Sequence, residues 1–275
     1  MAATHAPLDG RVADIGHYPS TMPIGSASVD ELLALFHRIA DGVEVALNEV
    51  DDWGLSGRRP GQYSADLVAD EVVLKALDAI DVGVLSEETG ARRLDRDVVV
   101  IVDPLDGSTN ASRGIAHHAT ALCAVDDQGP VVALVAHHGQ PVRWHAVRGG
   151  GAFRNRQRIP VGDSSVDLAR AVVLVSGPVP SEAPWWQSRV LGAGAIDLCL
   201  VADGTADGFV DMSPNAHGVW DYAASMLVCQ EAGVDVVDAG GRDLLVLEHD
   251  ARRTPVAGRS GILPTLLAVR GRLPL

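Results

Sequence analysis

Aromatic residues are scarce in this 275-residue chain, at 4% for Phe, Trp and Tyr together. Aliphatic side chains must therefore fill the interior. At 47% hydrophobic residues there are enough for one large domain or two modest lobes. Cysteine is almost as rare: Cys123, Cys199 and Cys229 lie far apart in apolar surroundings. An odd count without metal-binding spacing argues against a disulfide framework and points to buried free thiols in a reducing cytosol. Positive charge is short as well, with 22 Lys and Arg against 36 Asp and Glu and a net charge of −14. Such a surface repels nucleic acid and anionic membrane, so neither is expected as a partner. It also repels a phosphorylated substrate unless bound cations invert the local field. No apolar run approaches the roughly 18 residues of a membrane span. The first twenty residues lack a basic segment followed by an apolar one, so no signal peptide is expected. A cytoplasmic protein is the reading. There is no internal repeat and no low-complexity segment.

Residues 1–25 carry Pro, Gly and His without period and read as a loose arm. Ser28 with Glu31 forms a capping-box pattern, followed by Leu32, Leu35, Phe36, Ile39 and Val43 at helical spacing. Residues 53–63 read as a loop. A second helix starts near Asp66. Residues 82–85, 98–102, 119–125 and 131–136 read as strands, the last two joined by a turn at Asp127–Pro130, with 149–151 a tight connection. In the second half, strands at 171–175, 209–210, 234–237 and 254–257 alternate with helices through Leu198 and Val201, over 219–232 and over 263–269. That alternation predicts a more parallel α/β lobe. A boundary near residue 165 divides an α+β lobe, 26–165, from an α/β lobe, 166–275.

The richest chemistry lies where the apolar run 98–102 meets Asp103-Pro104-Leu105-Asp106-Gly107-Ser108-Thr109-Asn110. Pro104 is expected to stop the strand and Gly107 to allow a tight turn. Asp103 and Asp106 then leave one turn together, with the Leu105 carbonyl between them. Hard oxygen donors at that spacing suit magnesium. The amides of Gly107 and Ser108 can face an anion if a helix starts there. A lone pair of this kind is more often a solvated turn. Two further acidic sites, Glu87-Glu88 after a strand and Trp220-Asp221 opening a helix, make a pattern that neutral explanations do not predict.

These segments, in this order, resemble the signatures of the inositol monophosphatase family, within the lithium-sensitive, magnesium-dependent phosphatases that include fructose-1,6-bisphosphatases. Asp66-Leu67-Val68, Gly192-Ala193-Gly194-Ala195 with Asp197, and Glu231-Ala232-Gly233 extend the match, which runs from about residue 28 to the end. The resemblance implies a layered α-β-α-β-α sandwich and hydrolysis of a phosphate monoester on a small soluble metabolite. Inositol-1-phosphate or a related sugar or polyol phosphate leads, with a metal-bound water as nucleophile. It implies two or three magnesium ions. Glu87, Asp103 and Leu105 would hold the first, and Asp103, Asp106 and Asp221 the second. Asp66, Ser108 and Glu87 would be catalytic, with Ser108 standing where the family more commonly has Thr. Gly107 and Ser108 would bind phosphate. Asp106, Gly192, Ala193, Gly194, Asp211 and Asp221 would contact substrate, and Asp197 is a further candidate nearby. The loop 212–219 looks longer than in the animal enzymes. Arg113, His117 and His118 follow the second signature in place of the usual aromatic and could reach the substrate. A bisphosphate would need a second cationic pocket, for which Arg113, Arg154, Arg156 and Arg158 are the residues to inspect. The alternatives are a fructose-1,6-bisphosphatase, a histidinol-phosphatase, a nucleotide 3'-phosphatase, or a non-catalytic binding partner. A homodimer is common in the family.

Overall fold

A computed structural model of the chain describes residues 23–24, 27–162 and 165–273. All but two residues of the expected N-terminal arm lie outside the described residues. A short antiparallel pair, β1 (Pro23–Ile24) and β2 (Ala27–Ser28), leads into α1 (Val29–Asn48). The capping box forms: Ser28 Oγ accepts from the Glu31 amide at 3.2 Å, and Glu31 Oε2 accepts from the Ser28 amide at 2.7 Å. Leu32, Leu33, Phe36, Ile39, Ala40, Val43 and Leu47 make the buried stripe of α1. The next helix, α2 (Ser64–Leu77), starts two residues before Asp66.

Eight strands form the large sheet. They are β3 (Gly83–Ser86), β4 (Gly90–Arg92), β5 (Val99–Asp106), β6 (Ala119–Asp126), β7 (Gly129–His137), β8 (Val142–Val147), β9 (Gly151–Arg154) and β10 (Gln157–Arg158). Their spatial order is β10-β9-β8-β7-β6-β5-β3-β4, and only β3 and β5 run parallel. A short helix, α3 (Ser108–Ser112), follows β5. The second sheet, with β11 (Val172–Ser176), β12 (Gln187–Arg189), β13 (Gly208–Asp211), β14 (Asp235–Asp238) and β15 (Pro255–Gly258), has the order β12-β11-β13-β15-β14. It is mixed: β11 runs parallel to β12 and β13, whereas β15 runs antiparallel to β13 and β14. The expected parallel character therefore holds for half of its pairings.

Helices α4 (Gly194–Ala202) and α5 (Ala223–Glu231) lie between the two sheets. Their Ile196, Leu198, Leu227 and Val228 share one core with Leu85 and Ile101 of the large sheet and Phe209 and Ala257 of the small one. Helices α1 and α2 cover the other face of the large sheet. Helix α6 (Leu263–Arg270) covers the other face of the small one. Burial on both faces of both sheets gives the layered α-β-α-β-α sandwich, because each sheet must cover two apolar faces. No described helix is long and apolar enough to cross a membrane.

Three expectations need correction. Pro104 does not stop the strand: β5 runs through it as a bulge, with register skipping from Asp103↔Ala121 to Asp106↔Ala119. A bulge tolerates the missing N–H, and the Pro104 carbonyl accepts from the Thr120 hydroxyl at 2.8 Å. The helix expected over 219–232 is broken at Tyr222 (φ −138°), which separates a single 3₁₀ turn at Val219–Asp221 from α5. Strands β8 to β10 were not expected, although Arg143 and His145 alternate with Trp144 and Ala146 in the period of two that marks a strand.

Candidate metal centre

Strand pairing creates the acidic cluster. β3 and β5 run parallel with Ser86 opposite Val102, so Glu87 and Asp103 follow side by side. The Glu87 amide donates to Val102 O at 3.0 Å, which carries the pairing one residue further. Asp221 arrives from the helical layer on its 3₁₀ turn, with Oδ2 accepting from the Gly218 amide at 2.7 Å. Carboxylate oxygens of Glu87, Asp103 and Asp221 lie within 4.8 Å of one another. Asp106 stands beside this trio rather than in it, with Oδ2 accepting from the Ala195 amide at 2.8 Å. The Leu105 side chain is buried beneath the helices, so only its main chain is available to the acids.

Four acids crowded out of water cannot all carry charge comfortably. Burial, then Glu87, Asp106 and Asp221, push Asp103 well above the carboxylate range. Burial, then Asp221 and Glu88, do the same to Glu87. Burial and Asp221 raise Asp106 to about 8. Burial raises Asp221 as well, against the pull of His217. A divalent cation offsets this repulsion. An all-carboxylate donor set with no His or Cys in the trio suits a hard, oxygen-seeking ion, so the residues fit the metal that the sequence pattern implied.

Asp66 sits next to the cluster as the third residue of α2. Its Oδ2 accepts from the Tyr63 amide at 2.8 Å, while its buried Oδ1 has no hydrogen-bond partner among the described residues, although the Ser108 hydroxyl is near enough to draw the Asp66 pKa down. Burial raises its pKa to about 7, against the pull of the Tyr63 amide. Asp66, Glu87, Ser108, Arg59, Trp220 and Arg252 line a cavity of about 340 Å³.

These shifts set a pH dependence for chelator-treated protein. Folded Asp66 and Asp106 keep protons up to about pH 7 and 8, which the unfolded chain releases near 3.8. The native state therefore binds more protons than the unfolded state across that window, and stability falls as pH rises through it. Between pH 5 and 8 the Tm in chelator should drop by roughly 5–10 °C, and magnesium should flatten the slope. A level profile in chelator would contradict the crowding.

Gly107 joins the two halves of the site. Its φ is 80°. A Cβ there would lie 2.8 Å from His117 O, 3.0 Å from Ala193 Cβ and 3.3 Å from Gly192 O. Both the left-handed backbone and the close approach require glycine. Ser108 begins α3, where the first amides have no intrahelical acceptor. Asn110 Nδ2 donates to His117 O and Leu191 O, each at 2.8 Å, fixing Gly192 (φ 84°) against α3. Ala193 caps α4 and is buried, and a Cβ on Gly194 would touch Asp221 O and His217.

Asp211 is fully buried and both its oxygens are committed: Oδ1 to the Ser213 amide at 2.8 Å and Oδ2 to His217 Nδ1 at 2.9 Å. It holds His217, whose pKa rises to about 9 beside Asp211, Asp221 and Asp106 despite burial. Asp197 is likewise buried and meets His117 Nε2 at 2.9 Å. His118 Nδ1 meets Ile115 O at 3.2 Å. Arg113 is exposed directly after α3. Arg154, Arg156 and Arg158 lie on or between β9 and β10, at least four strands from β5, about 19 Å at ~4.8 Å per strand.

Several supporting residues carry no local sequence signal. Glu88 is bound by Arg59 at 2.7 Å and by Gln62, and Arg59 also donates to Glu87 O at 2.8 Å. His249 Nε2 meets Glu87 O at 2.9 Å, and Arg252 packs over the Trp220 ring at 5.1 Å. His217 falls in the same group. Cys123, Cys199 and Cys229 are buried and unpaired.

A family model described as the inositol monophosphatase family matches residues 62–268. The fructose-1,6-bisphosphatase/inositol-1-monophosphatase of Archaeoglobus fulgidus is 31% identical over 224 residues, covering 79% of this chain and 87% of that protein. The inositol-1-monophosphatase of Mesorhizobium japonicum is 34% identical over 227 residues, covering 72% and 80%. Among solved structures, a Pyrococcus horikoshii protein described as similar to inositol-1 monophosphatase superposes with TM-score 0.75 at 23% identity, covering 86% of this chain and 98% of that one.

Proposed function

This chain belongs to the inositol monophosphatase family, and on that premise we propose that it is a magnesium-dependent phosphatase for the monoester of a small polyol or sugar, with inositol-1-phosphate as the leading substrate. The observation that carries the reading is the close approach of Glu87, Asp103 and Asp221 beside the unpartnered Asp66 Oδ1. Bound divalent ions, two or three by the resemblance, would neutralise phosphate charge and acidify water. Glu87, Asp103, Asp221, Asp106 and the Leu105 carbonyl hold them. Asp66 Oδ1 and the Ser108 hydroxyl orient the attacking water, and Asp66 accepts its proton. The free amides at the start of α3 receive the phosphate oxygens. Attack on phosphorus breaks the ester P–O bond, the leaving alkoxide takes a proton from solvent water as the alcohol departs, and Asp66 returns its proton to solvent. Alignment and charge neutralisation suffice for this chemistry. Gly192 to Gly194 form the backbone wall facing Gly107, where the polyol is placed. A cytoplasmic homodimer, with lobes 26–165 and 166–275 meeting across α4 and α5, completes the reading.

Phosphate release with and without magnesium tests it, on inositol-1-phosphate, fructose-1,6-bisphosphate, histidinol phosphate, adenosine 3',5'-bisphosphate and glycerol-2-phosphate. Magnesium-dependent release led by inositol-1-phosphate is expected. Release only from a bisphosphate would move the substrate assignment, and no release from any would remove it. Ser108→Ala should cut turnover by about a hundredfold, while Ser108→Thr, which keeps the hydroxyl, should stay within about threefold. A dead Thr variant would sink the assigned role of the hydroxyl.

A further inference from the structure

A second polar cavity, of about 360 Å³, lies among α1, β8 and the β9–β10 turn, lined by His37, Arg143, His145, Asn155 and Arg156. It belongs to the α1 side of the large sheet, with β8 three strands from β5. None of the acidic cluster lines it.

Strand alternation places these groups. Along β8, Trp144 and Ala146 enter the core between the sheets, whereas Val147 joins the core beneath α1. Arg143 and His145 share the face of Val147. Position 145 therefore calls for an apolar side chain, yet it is a histidine only 3% exposed. Its ring stacks on Phe153 with centroids 5.1 Å apart and meets His37 edge-on at 5.8 Å. The ring lines the cavity and makes no hydrogen bond to another described residue, so its nitrogens are open to whatever fills the cavity.

The rest of the lining is rich in donors. Arg143 Nη1 lies 3.3 Å from His37 Nδ1, and its Nη2 pairs with exposed Asp41, with Glu44 3.9 Å away. Asn155 is spent: its Oδ1 accepts from the Arg143 amide at 2.8 Å and its Nδ2 donates to Pro141 O at 2.9 Å. Arg156 has no ion pair and no hydrogen bond among the described residues. What faces the cavity is guanidinium N–H and imidazole nitrogen, with no free carboxylate oxygen among the lining residues. That inventory matches an anion.

The backbone of Arg156 adds an independent observation. Asn155 and Arg156 are the two-residue turn between β9 and β10, with φ of 47° and 69°. Turns with both residues left-handed favour Asn-Gly. Here arginine occupies the glycine position despite its Cβ, and its side chain lines the cavity.

We propose that this cavity binds a small oxyanion, either free phosphate or the phosphate group of a phosphorylated metabolite, through Arg143, Arg156, His37 and His145. In a chain of net charge −14, such a donor-lined pocket away from the acidic cluster gives a phosphorylated compound a second place to bind.

The test follows the imidazole Cε1–H resonances of His37 and His145 in magnesium-loaded protein during titration with inorganic phosphate, and separately with phenylphosphonate. Both resonances should shift saturably, half-complete near ~1 mM. Tighter binding of the phosphonate assigns the cavity to a phosphorylated metabolite, and equal or weaker binding assigns it to free phosphate. Arg156→Gly removes the guanidinium and relieves the left-handed backbone. Its Tm should hold or rise and its turnover should be unchanged, while phosphate affinity at the two histidines falls at least about tenfold. No shift at either histidine up to about 50 mM phosphate, or undiminished affinity in Arg156→Gly, would overturn the proposal.

Discussion

Asp103→Asn is expected to lower magnesium-dependent turnover by about a thousandfold or more and, at the same time, to raise the Tm of chelator-treated protein. The two effects share one cause. Asp103 is 1% exposed and stands among Glu87, Asp106 and Asp221, whose charges oppose its own. Asparagine has nearly the same shape, and its Oδ1 can still accept from the Leu105 amide, as the carboxylate does at 3.1 Å. The bulge in β5 should therefore survive. Without a cation, folding must either bury the Asp103 charge among the others or protonate it, and asparagine removes that cost and stabilises the fold. With magnesium, the same substitution removes an anionic ligand from the middle of the cluster. Kinetics on inositol-1-phosphate and thermal melts in chelator check the pair. If turnover and Tm both fall, Asp103 is a structural acid. If turnover stays within about tenfold of the parent, the ligand assignment is wrong.

The second large effect is expected at Asp66. Asp66→Asn should reduce kcat by about a hundredfold to a thousandfold with KM little changed, because a general base acts in the transition state and adds little to ground-state binding. The amide side chain can still accept from the Tyr63 N–H, so the start of α2 should remain formed. What disappears is the proton-accepting oxygen, the one buried carboxylate atom left without a partner among the described residues. A variant with a normal kcat would exclude Asp66 from proton transfer. A large rise in KM alone would make it a substrate contact.

Legibility in the sequence follows the range of the interaction. The capping box at Ser28 and Glu31 was readable because its two hydrogen bonds span three residues. The strand before Asp103 was readable because an unbroken apolar run buried on both sides leaves a clear pattern. Pro104 was misread because its tolerance depends on a bulge against β6, whose partner Thr120 lies 16 residues away. Strand β8 was missed because its polar face is paired with α1 through contacts 102 and 106 residues apart in sequence, Arg143 with Asp41 and with His37. Asp211 was picked as a substrate contact from its place before the last signature; the local pattern did not show that its oxygens accept from the Ser213 amide and meet His217, whose charge then faces the acids.

By itself the sequence determined the class of protein and the family and singled out the candidate acids, because those rest on local patterns: apolar period, turn residues and three short acidic segments in order. Only the tertiary structure decided how the acids meet. Glu87 and Asp103 become neighbours through the parallel pairing of β3 with β5, and Asp221 is added by the helical layer between the sheets. Packing also left Asp66 Oδ1 without a hydrogen-bond partner among the described residues. A carboxylate's charge, its solvation and the company it keeps depend on distances set by chain segments more than a hundred residues apart, such as Glu87 and Asp221, and no local pattern records them.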